Sequence, residues 1–353
     1  MDRKFHLIIN PGRYPGFSKK LKRLMRYIEG GTIKESTSRD HFKELIIEFI
    51  KSRDSYLLIW GGDGTANLVL NILMKEADEG RRNQIAVGFL RGGSGNGIQD
   101  SYEVPKILAK QVKTYLKSMD RNLIQKVDLL KVSYSGKTIY GQLFGTGLDA
   151  RILQARNLNR RTGGDKAPRP GFLPYLLPAI RIVWKETRLL SETQTLNMKN
   201  GRFAFRGTRT NAEFPFERYT VKTRASLIEL GVRPYFGWYY KICPDVVCND
   251  GLFDVYLFNM TSPLAIPFQL FYLWNGQYDR INSWNAKRGL PLIEHYKIKE
   301  MHLQPLKERV FHIDGELKRT DGPVNIEVAS QALQFLVPVS FYEKFHPIHR
   351  ESD

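Results

Sequence analysis

Cysteine is almost absent from this 353-residue sequence, in which Cys243 and Cys248 are the only two. Two cysteines are too few for a disulfide framework, and there is no second pair to complete a zinc site. The sequence also has no uninterrupted apolar run of about eighteen residues, because residues 172–183 contain two prolines and an arginine. Its first residues, MDRK, lack the apolar segment of a signal peptide. These absences predict a cytoplasmic protein without a membrane span.

Acidic residues are scarce relative to basic ones. The sequence has 36 Asp and Glu against 54 Lys and Arg, which gives a formal net charge of +18. Such an excess favours an anionic partner, whether nucleic acid, a membrane surface or a phosphorylated substrate. Charge alone does not distinguish these partners from a basic surface that only contacts water.

A glycine-rich turn between a strand and a helix is the most informative feature. Residues 56–60 read as a buried strand, GGDGT follows at residues 61–65, and an apolar helical pattern comes next. This arrangement directs backbone N–H groups and a helix N-terminus at an anion. Asp63 would repel a phosphate unless a cation such as nucleotide-bound Mg²⁺ lay between them. Alternatively, Asp63 only caps the helix and the glycines only form a tight turn.

The first 120 residues alternate strand and helix patterns, which predicts an open parallel sheet. Asn10, Asp63 and Ser94 each follow the end of a predicted strand. Ligands of such sheets bind beyond the carboxyl ends of the strands. The three residues are therefore expected to lie at one edge of the sheet.

From Val127 onward, short β-like runs separated by turns predict an antiparallel β-sandwich, interrupted by helical segments at residues 149–159, 173–186 and 267–276. We therefore predict an α/β domain at residues 1–125 and a β-sandwich domain at residues 126–353. A P-loop is excluded, because Lys131 occupies the position of its first glycine. The run GTGLDA at residues 145–150 matches a weak dinucleotide-binding pattern, but it lies in the antiparallel part.

Two further segments carry carboxylate pairs. Asp250 and Asp254 occur in NDGLFD, and Asp314 and Glu316 occur in DGE. Taken singly, Asx-Gly pairs are common hairpin turns, and the structural interpretation is then favoured.

Together, GGDGT, GSGN, NDGLFD and DGE occur in the order that characterises one family, over residues 61–316. The chain resembles the diacylglycerol kinase catalytic-domain family of lipid kinases, and GGSGN and FHIDGEL resemble its sphingosine and ceramide kinase branch. The resemblance implies a nucleotide-binding domain, a β-sandwich domain and an active site in the cleft between them. It implies an ATP-dependent kinase that transfers the γ-phosphoryl group to a hydroxyl of a lipid, of the sphingoid-base or diacylglycerol class, with Mg²⁺.

The resemblance also implies roles for individual residues. Asp314 or Asp63 is the general base, and Asp314 is favoured because a magnesium ligand is a poor proton acceptor. Glu316 supports the base or contacts the nucleotide, and Asp149 recognises the head group of the acceptor. Asp63, Asp250 and Asp254 are the predicted metal ligands. The predicted nucleotide-binding residues are Asn10, Gly61, Gly62, Gly64, Thr65, Gly93, Ser94, Asn96 and Arg169.

Three alternatives stay open at this point. NAD kinases share GGDGT and phosphorylate a soluble acceptor, and a family member that has lost activity would only sense its ligand. A nucleic-acid-binding protein is the minor alternative, because it needs no carboxylates in glycine turns and more often has a concentrated basic stripe. For the kinase we expect a lipid substrate, transient docking of the aromatic residues within 268–274 on an anionic membrane, and no nucleic acid. The alternative is that these aromatic residues form part of the core. Self-association as a homodimer is an open alternative to a monomer.

Overall fold

A computed structural model describes residues 4–11, 15–26, 28–162, 193–205, 214–259, 265–306 and 308–346. The chain forms two compact units. Unit 1 comprises Met1–Val127 with Gln331–Asp353, and unit 2 comprises Asp128–Ser330. No helix among the described residues is both long enough and apolar enough to cross a membrane.

Unit 1 contains the predicted parallel sheet. Its strands lie in the order β2, β1, β3, β4, and every neighbouring pair is parallel. The strands are short, and β1, β3 and β4 are almost wholly buried, as expected for strands covered by helices on both faces, whereas the edge strand β2 is partly exposed. Their bounds are β1 Phe5–Ile9, β2 Gly31–Glu35, β3 Tyr56–Gly61 and β4 Ala86–Arg91.

The helices of unit 1 present apolar faces to this sheet. In α2, the residues Phe42, Leu45, Ile46 and Phe49 are buried, at the spacing of one helical face. Ser38 caps the same helix by accepting a hydrogen bond from the His41 N–H. The helix bounds are α1 Pro15–Met25, α2 Arg39–Lys51, α3 Asp63–Glu76, α4 Glu79–Arg82, α5 Gly97–Ser101 and α6 Leu108–Asp120.

The first helix begins earlier than its sequence pattern predicts. Ser18 is the predicted N-cap of a helix over residues 19–28, but α1 starts at Pro15 and Ser18 lies inside it. Proline is favoured at the first helical position, where its missing N–H costs nothing. The buried hydroxyl of Ser18 instead donates a hydrogen bond to Glu35 Oε1 at 3.1 Å.

Unit 2 is rich in antiparallel strands, as predicted. The main sheet runs β17, β16, β7, β10, β13, β14, β8, β15, β18, and each of these pairs is antiparallel. β9 extends β8, β6 pairs with β5, and β11 with β12 form a separate hairpin. The bounds are β5 Ile124–Tyr134, β6 Lys137–Gly141, β7 Leu143–Gly147, β8 Gln194–Phe205, β9 Phe214–Thr223, β10 Leu227–Gly231, β11 Tyr235–Gly237, β12 Tyr240–Lys241, β13 Phe253–Phe258, β14 Glu294–Ile298, β15 Glu300–Leu303, β16 Arg309–Ile313, β17 Glu316–Thr320 and β18 Val324–Leu336.

Unit 2 also contains three described helices, α7 Leu148–Thr162, α8 Ala265–Trp274 and α9 Tyr278–Ala286. The helix predicted over residues 173–186 lies outside the described residues. The GTGLDA segment spans the end of β7 and the start of α7, and β7 has antiparallel neighbours on both sides. A dinucleotide fold needs a parallel strand there, so the weak pattern does not mark one.

The C-terminal residues belong to unit 1, whereas the predicted second domain runs to residue 353. Near the end of β18, Gln334 and Phe335 pair in parallel with Ala86 and Val87 of β4. A final helix, α10 Val339–Phe345, follows. The strand pairing adds a fifth strand to the sheet of unit 1, which the alternation of the first 120 residues does not indicate.

Candidate active site

The two glycine turns of unit 1 pack directly against each other. They follow the neighbouring strands β3 and β4, whose ends pair Gly61 with Arg91. A Cβ on Gly62 would lie 2.9 Å from the Cα of Gly93, and a Cβ on Gly93 would overlap the Cα of Gly62. Only glycine at both positions permits this approach. The close contact therefore exposes bare backbone at the carboxyl edge of the sheet.

Asp63 lies between these turns, as the first residue of α3. The N-cap of α3 is Gly62, which offers no side-chain cap, so the anticipated capping of α3 by Asp63 is not observed. Instead, Asp63 Oδ1 accepts a hydrogen bond from the Ile98 N–H of α5 at 3.1 Å. Its other oxygen would lie 2.7 Å from a Cβ on Gly95. The carboxylate is thus held over the second turn, where a glycine leaves room beside it.

The side-chain amides of Asn10 and Asn96 form hydrogen bonds just beyond the ends of β1 and β4. Asn10 Nδ2 donates to Thr65 Oγ1 at 3.0 Å. Asn96 has a left-handed backbone with φ of 56°, and its side chain closes the second turn through hydrogen bonds with the N–H and carbonyl of Gly93 at 3.0 and 2.8 Å. Gly64 and Ser94 are exposed at the two turns. Of the predicted nucleotide-binding residues, only Arg169 lies outside the described residues.

Asp314 occupies a tight hairpin turn in unit 2. Asp314 and Gly315 have φ of 48° and 81°, and they connect Ile313 to its cross-strand partner Glu316. Positive φ at both central residues is the signature of a type I′ turn, as Asx-Gly pairs favour. The Glu316 side chain is about two-fifths exposed, and its Oε2 lies 3.3 Å from Lys318 Nζ.

The carboxylate of Asp314 is buried among donors. It accepts hydrogen bonds from the backbone N–H groups of Gln142 and Leu143 at 3.1 and 3.0 Å, and from Arg233 Nη2 at 3.2 Å. The side chains of Asp314 and Arg233 are each 2% exposed. A buried charge needs such partners. The three donors therefore satisfy the hydrogen-bonding needs of this buried carboxylate and hold it in one position.

The predicted metal ligands Asp250 and Asp254 lie in different surroundings. Asp254 is buried, and its carboxylate contacts Lys297 Nζ at 3.0 Å and His295 Nε2. Asp250 is exposed and accepts a hydrogen bond from the Leu252 N–H at 3.1 Å. Beside it, Asp128 Oδ2 accepts a hydrogen bond from the Gly251 N–H at 2.8 Å. The charge of Asp254 is therefore compensated by Lys297, whereas Asp250 is exposed.

The side chain of Asp149 lies beside two buried ionisable residues, His312 and Glu229. Its Oδ2 contacts His312 Nε2, which also lies 3.6 Å from Glu229 Oε1. Burial opposes the imidazolium, but the neighbouring carboxylates outweigh burial and raise the pKa of His312 to about 10. Burial and the charge of Asp149 raise the pKa of Glu229 well above its ordinary value. The three side chains form a buried acid–imidazole cluster.

Sequence reasoning missed Arg233, Glu229 and His312. Signals for two of them were present, because Glu229 is a lone charge within the apolar run SLIELGV and His312 lies within FHIDGEL. No local signal marks Arg233, which is 81 positions from Asp314. Long-range pairings of this kind depend on the strand order of unit 2.

Comparison with known proteins agrees with this architecture. A crystal structure of a Bacillus anthracis protein, provisionally named a diacylglycerol kinase, is 18% identical, with a TM-score of 0.65 over 96% of each chain. A further Bacillus anthracis structure, of a diacylglycerol kinase, is 17% identical, with a TM-score of 0.61 over 96% of this chain and 98% of that one. No curated protein sequence matches the chain. At these identities, the two structures show a shared fold.

The family comparison concerns the N-terminal part. The family model of the diacylglycerol kinase catalytic domain matches residues 4–132, which include both glycine turns. The resemblance of this chain to the diacylglycerol kinase catalytic-domain family is therefore confirmed, with residues 4–132 forming the matching domain.

Proposed function

We propose that this protein is an ATP-dependent lipid kinase that transfers the γ-phosphoryl group to a hydroxyl of a sphingoid-base or diacylglycerol-class lipid. The contact between the Gly62 and Gly93 turns, with the Asp63 carboxylate beside it, is the observation that carries this proposal. Bare backbone at the start of the 14-residue helix α3 suits a polyphosphate, because its N–H groups and the helix dipole both favour anions. Asn10, Thr65 and Asn96 would fix the nucleotide at the edge of the sheet.

Asp63 is assigned to Mg²⁺. Its oxygen beside Gly95 has the space and charge that a hard cation prefers. Bound Mg²⁺ would neutralise phosphate charge during transfer. Asp250 is retained as a second proposed metal residue, because its carboxylate is exposed. Asp254 is the weaker assignment, since Lys297 already compensates its charge and His295 contacts its other oxygen.

Asp314 is assigned as the general base. The acceptor hydroxyl would give its proton to the carboxylate of Asp314 while the hydroxyl oxygen bonds to the γ-phosphorus. The bond between the γ-phosphorus and the oxygen that bridges it to the β-phosphate would break, which releases ADP. The three donors to Asp314 fix the orientation of the carboxylate, and a general base must be held within hydrogen-bond reach of the proton that it accepts. Glu316 would support this turn through its position opposite Ile313.

An acceptor panel tests the proposed reaction. The purified protein, Mg²⁺ and ATP labelled in the γ-phosphoryl group are incubated separately with a sphingoid base, a diacylglycerol and NAD. We expect a labelled lipid product from at least one lipid and none from NAD. A labelled NAD product without a labelled lipid would replace the lipid kinase with a kinase of a soluble acceptor.

Asp149→Asn should impair use of the acceptor selectively. The amide keeps the shape of the side chain but removes the charge proposed to meet the lipid head group. We expect the KM for the lipid to rise by about tenfold or more, on the scale of a lost charged hydrogen bond, with the dissociation constant for ATP nearly unchanged. The matched control is Asp40→Asn, an exposed aspartate in the first turn of α2. Equal losses of ATP affinity, lipid use and thermal stability would make Asp149 a structural residue.

A surface for the membrane is proposed on α8 and α9. Phe271 is 67% exposed and Trp284 is 37% exposed, and Arg288 lies 4.0 Å over the Trp284 ring. Exposed aromatic and basic side chains together suit an anionic lipid surface. Leu273 of α8 is buried, and the side chain of Phe268 lies outside the described residues. The proposed docking residues are therefore Phe271, Trp284 and their basic neighbours.

Replacing both Phe271 and Trp284 with serine should weaken binding to anionic liposomes. Each ring contributes about 1.5 kcal/mol or more to the free energy of binding when the membrane buries it. We therefore expect at least a tenfold loss of liposome affinity in sedimentation assays. Phe214→Ser is the matched control, because Phe214 is 62% exposed but lies on β9. Wild-type binding should fall between low and physiological salt, where the screening length is about 8 Å. Wild-type protein that stays in the supernatant at low salt would disprove membrane docking.

A further inference from the structure

We propose that Asp149, Glu229 and His312 bind one divalent transition-metal ion, for which Zn²⁺ is the experimental probe. This site lies in unit 2 and goes beyond the proposed kinase function, since it uses neither ATP nor lipid. The candidate ligand atoms of the three residues all lie within 4.8 Å of one another.

Strand register builds the cluster around one glycine. Gly145 of β7 pairs with Glu229 of β10 on one side and with His312 of β16 on the other. Asp149 follows in the first turn of α7. A Cβ on Gly145 would overlap Asp149 Oδ2, His312 Nε2 and Glu229 Oε1 at once. The absence of this Cβ is what lets the three polar groups converge.

Several polar atoms in the cluster are buried without hydrogen bonds among the described residues. Besides Asp149 Oδ2 and His312 Nε2, which contact each other, they are His312 Nδ1, Asp149 Oδ1 and Glu229 Oε2. His312 is 0% exposed and Glu229 is 1% exposed. Buried polar atoms are nearly always partnered in folded proteins. An ion held by all three side chains would satisfy the atoms that the protein leaves without hydrogen bonds.

The donor set selects the class of ion. Imidazole together with carboxylate oxygens suits Zn²⁺ and related transition metals, whereas Mg²⁺ prefers oxygen ligands alone. Metal–ligand distances of about 2.0–2.2 Å require only small side-chain movements in a cluster of this size. A bound ion would displace a proton from His312 and compensate both carboxylates. The Asp149 side chain is 18% exposed, so the cluster lies nearest to solvent at this residue.

Titration calorimetry with Zn²⁺ tests the proposal, without ATP or lipid. We expect one Zn²⁺ per chain in the wild type and at least a 10²-fold weaker affinity in His312→Gln and Glu229→Gln. His302→Gln is the matched control, because His302 is a histidine of β15, a strand that pairs with β8 and β18 and not with the strands of the cluster. Circular dichroism establishes that each variant is folded before titration. Mg²⁺ should give no comparable signal.

X-ray absorption at the zinc edge supplies a measurement that needs no variant. The expected spectrum contains one imidazole nitrogen and carboxylate oxygens, with no sulfur from Cys243 or Cys248. Sulfur ligands, no binding by the wild type, or unchanged affinity in His312→Gln would each overturn the proposed site. Because Asp149 also has a proposed role in lipid recognition, kinase activity is measured separately. Zinc binding without kinase activity would refute only the kinase proposal, and the reverse would refute only the metal site.

Discussion

Asp63→Asn is expected to lower the rate of phosphoryl transfer by at least ~10²-fold. The substitution removes a charge that would position Mg²⁺ against the phosphates, and losing one electrostatic contact in a transition state has this scale. The fold should persist, because an amide oxygen can still accept the hydrogen bond from the Ile98 N–H. Initial rates over a range of Mg²⁺ concentrations measure the effect.

Asp78→Asn provides the matched control for this experiment. Asp78 caps α4 by accepting the Arg81 N–H at 2.7 Å, so it performs a comparable structural task away from the glycine turns. We expect both variants to melt close to the wild type and only Asp63→Asn to lose activity. Near wild-type turnover of Asp63→Asn with an unchanged magnesium requirement would refute the assignment.

Asp314→Ala is expected to reduce the free energy of unfolding by about 3–5 kcal/mol. It leaves the buried Arg233 guanidinium without its carboxylate, and breaking a buried ion pair from one side costs this much. Urea denaturation measures the change, with the exposed Asp321→Ala as the control. A loss below about 1 kcal/mol would mean that Arg233 finds another partner.

A second substitution separates the structural role of Asp314 from its proposed catalytic role. Adding Arg233→Met to Asp314→Ala removes the unpaired charge, so we expect part of the stability to return. Activity should not return, because the proposed base is still missing. Recovery of activity together with stability would show that Asp314 acts only through the fold.

Local sequence patterns predict the parts of this molecule that local chemistry determines. The strand at residues 56–60, the two glycine turns and the helix after Asp63 were all predictable, because glycine marks sharp turns and apolar spacing marks buried faces. The antiparallel character of unit 2 follows from its short β-like runs. The order of the four motifs carries the resemblance to a known family, which no single motif does.

Contacts between distant strands were not predictable in the same way. Gly145, Glu229 and His312 meet because β7 lies between β10 and β16, and the sequence does not reveal that order. The return of residues 331–353 to unit 1 likewise depends on one parallel pairing with β4. The alternative in which Asp63 only caps α3 is not observed, since its carboxylate accepts the Ile98 N–H of α5, which begins 34 residues later in the chain. Each difference arises from tertiary pairing rather than from local propensity.

The central claim is that this chain transfers the terminal phosphoryl group of ATP to a lipid. It is tested most directly by incubating the protein and Mg²⁺ with a total lipid extract and ATP labelled in either the γ- or the α-phosphoryl group. We predict label in the organic phase from γ-labelled ATP alone, and at least ~10²-fold less of it with Asp63→Asn. No organic-phase label from the wild type, or equal label from both forms of ATP, would contradict the claim.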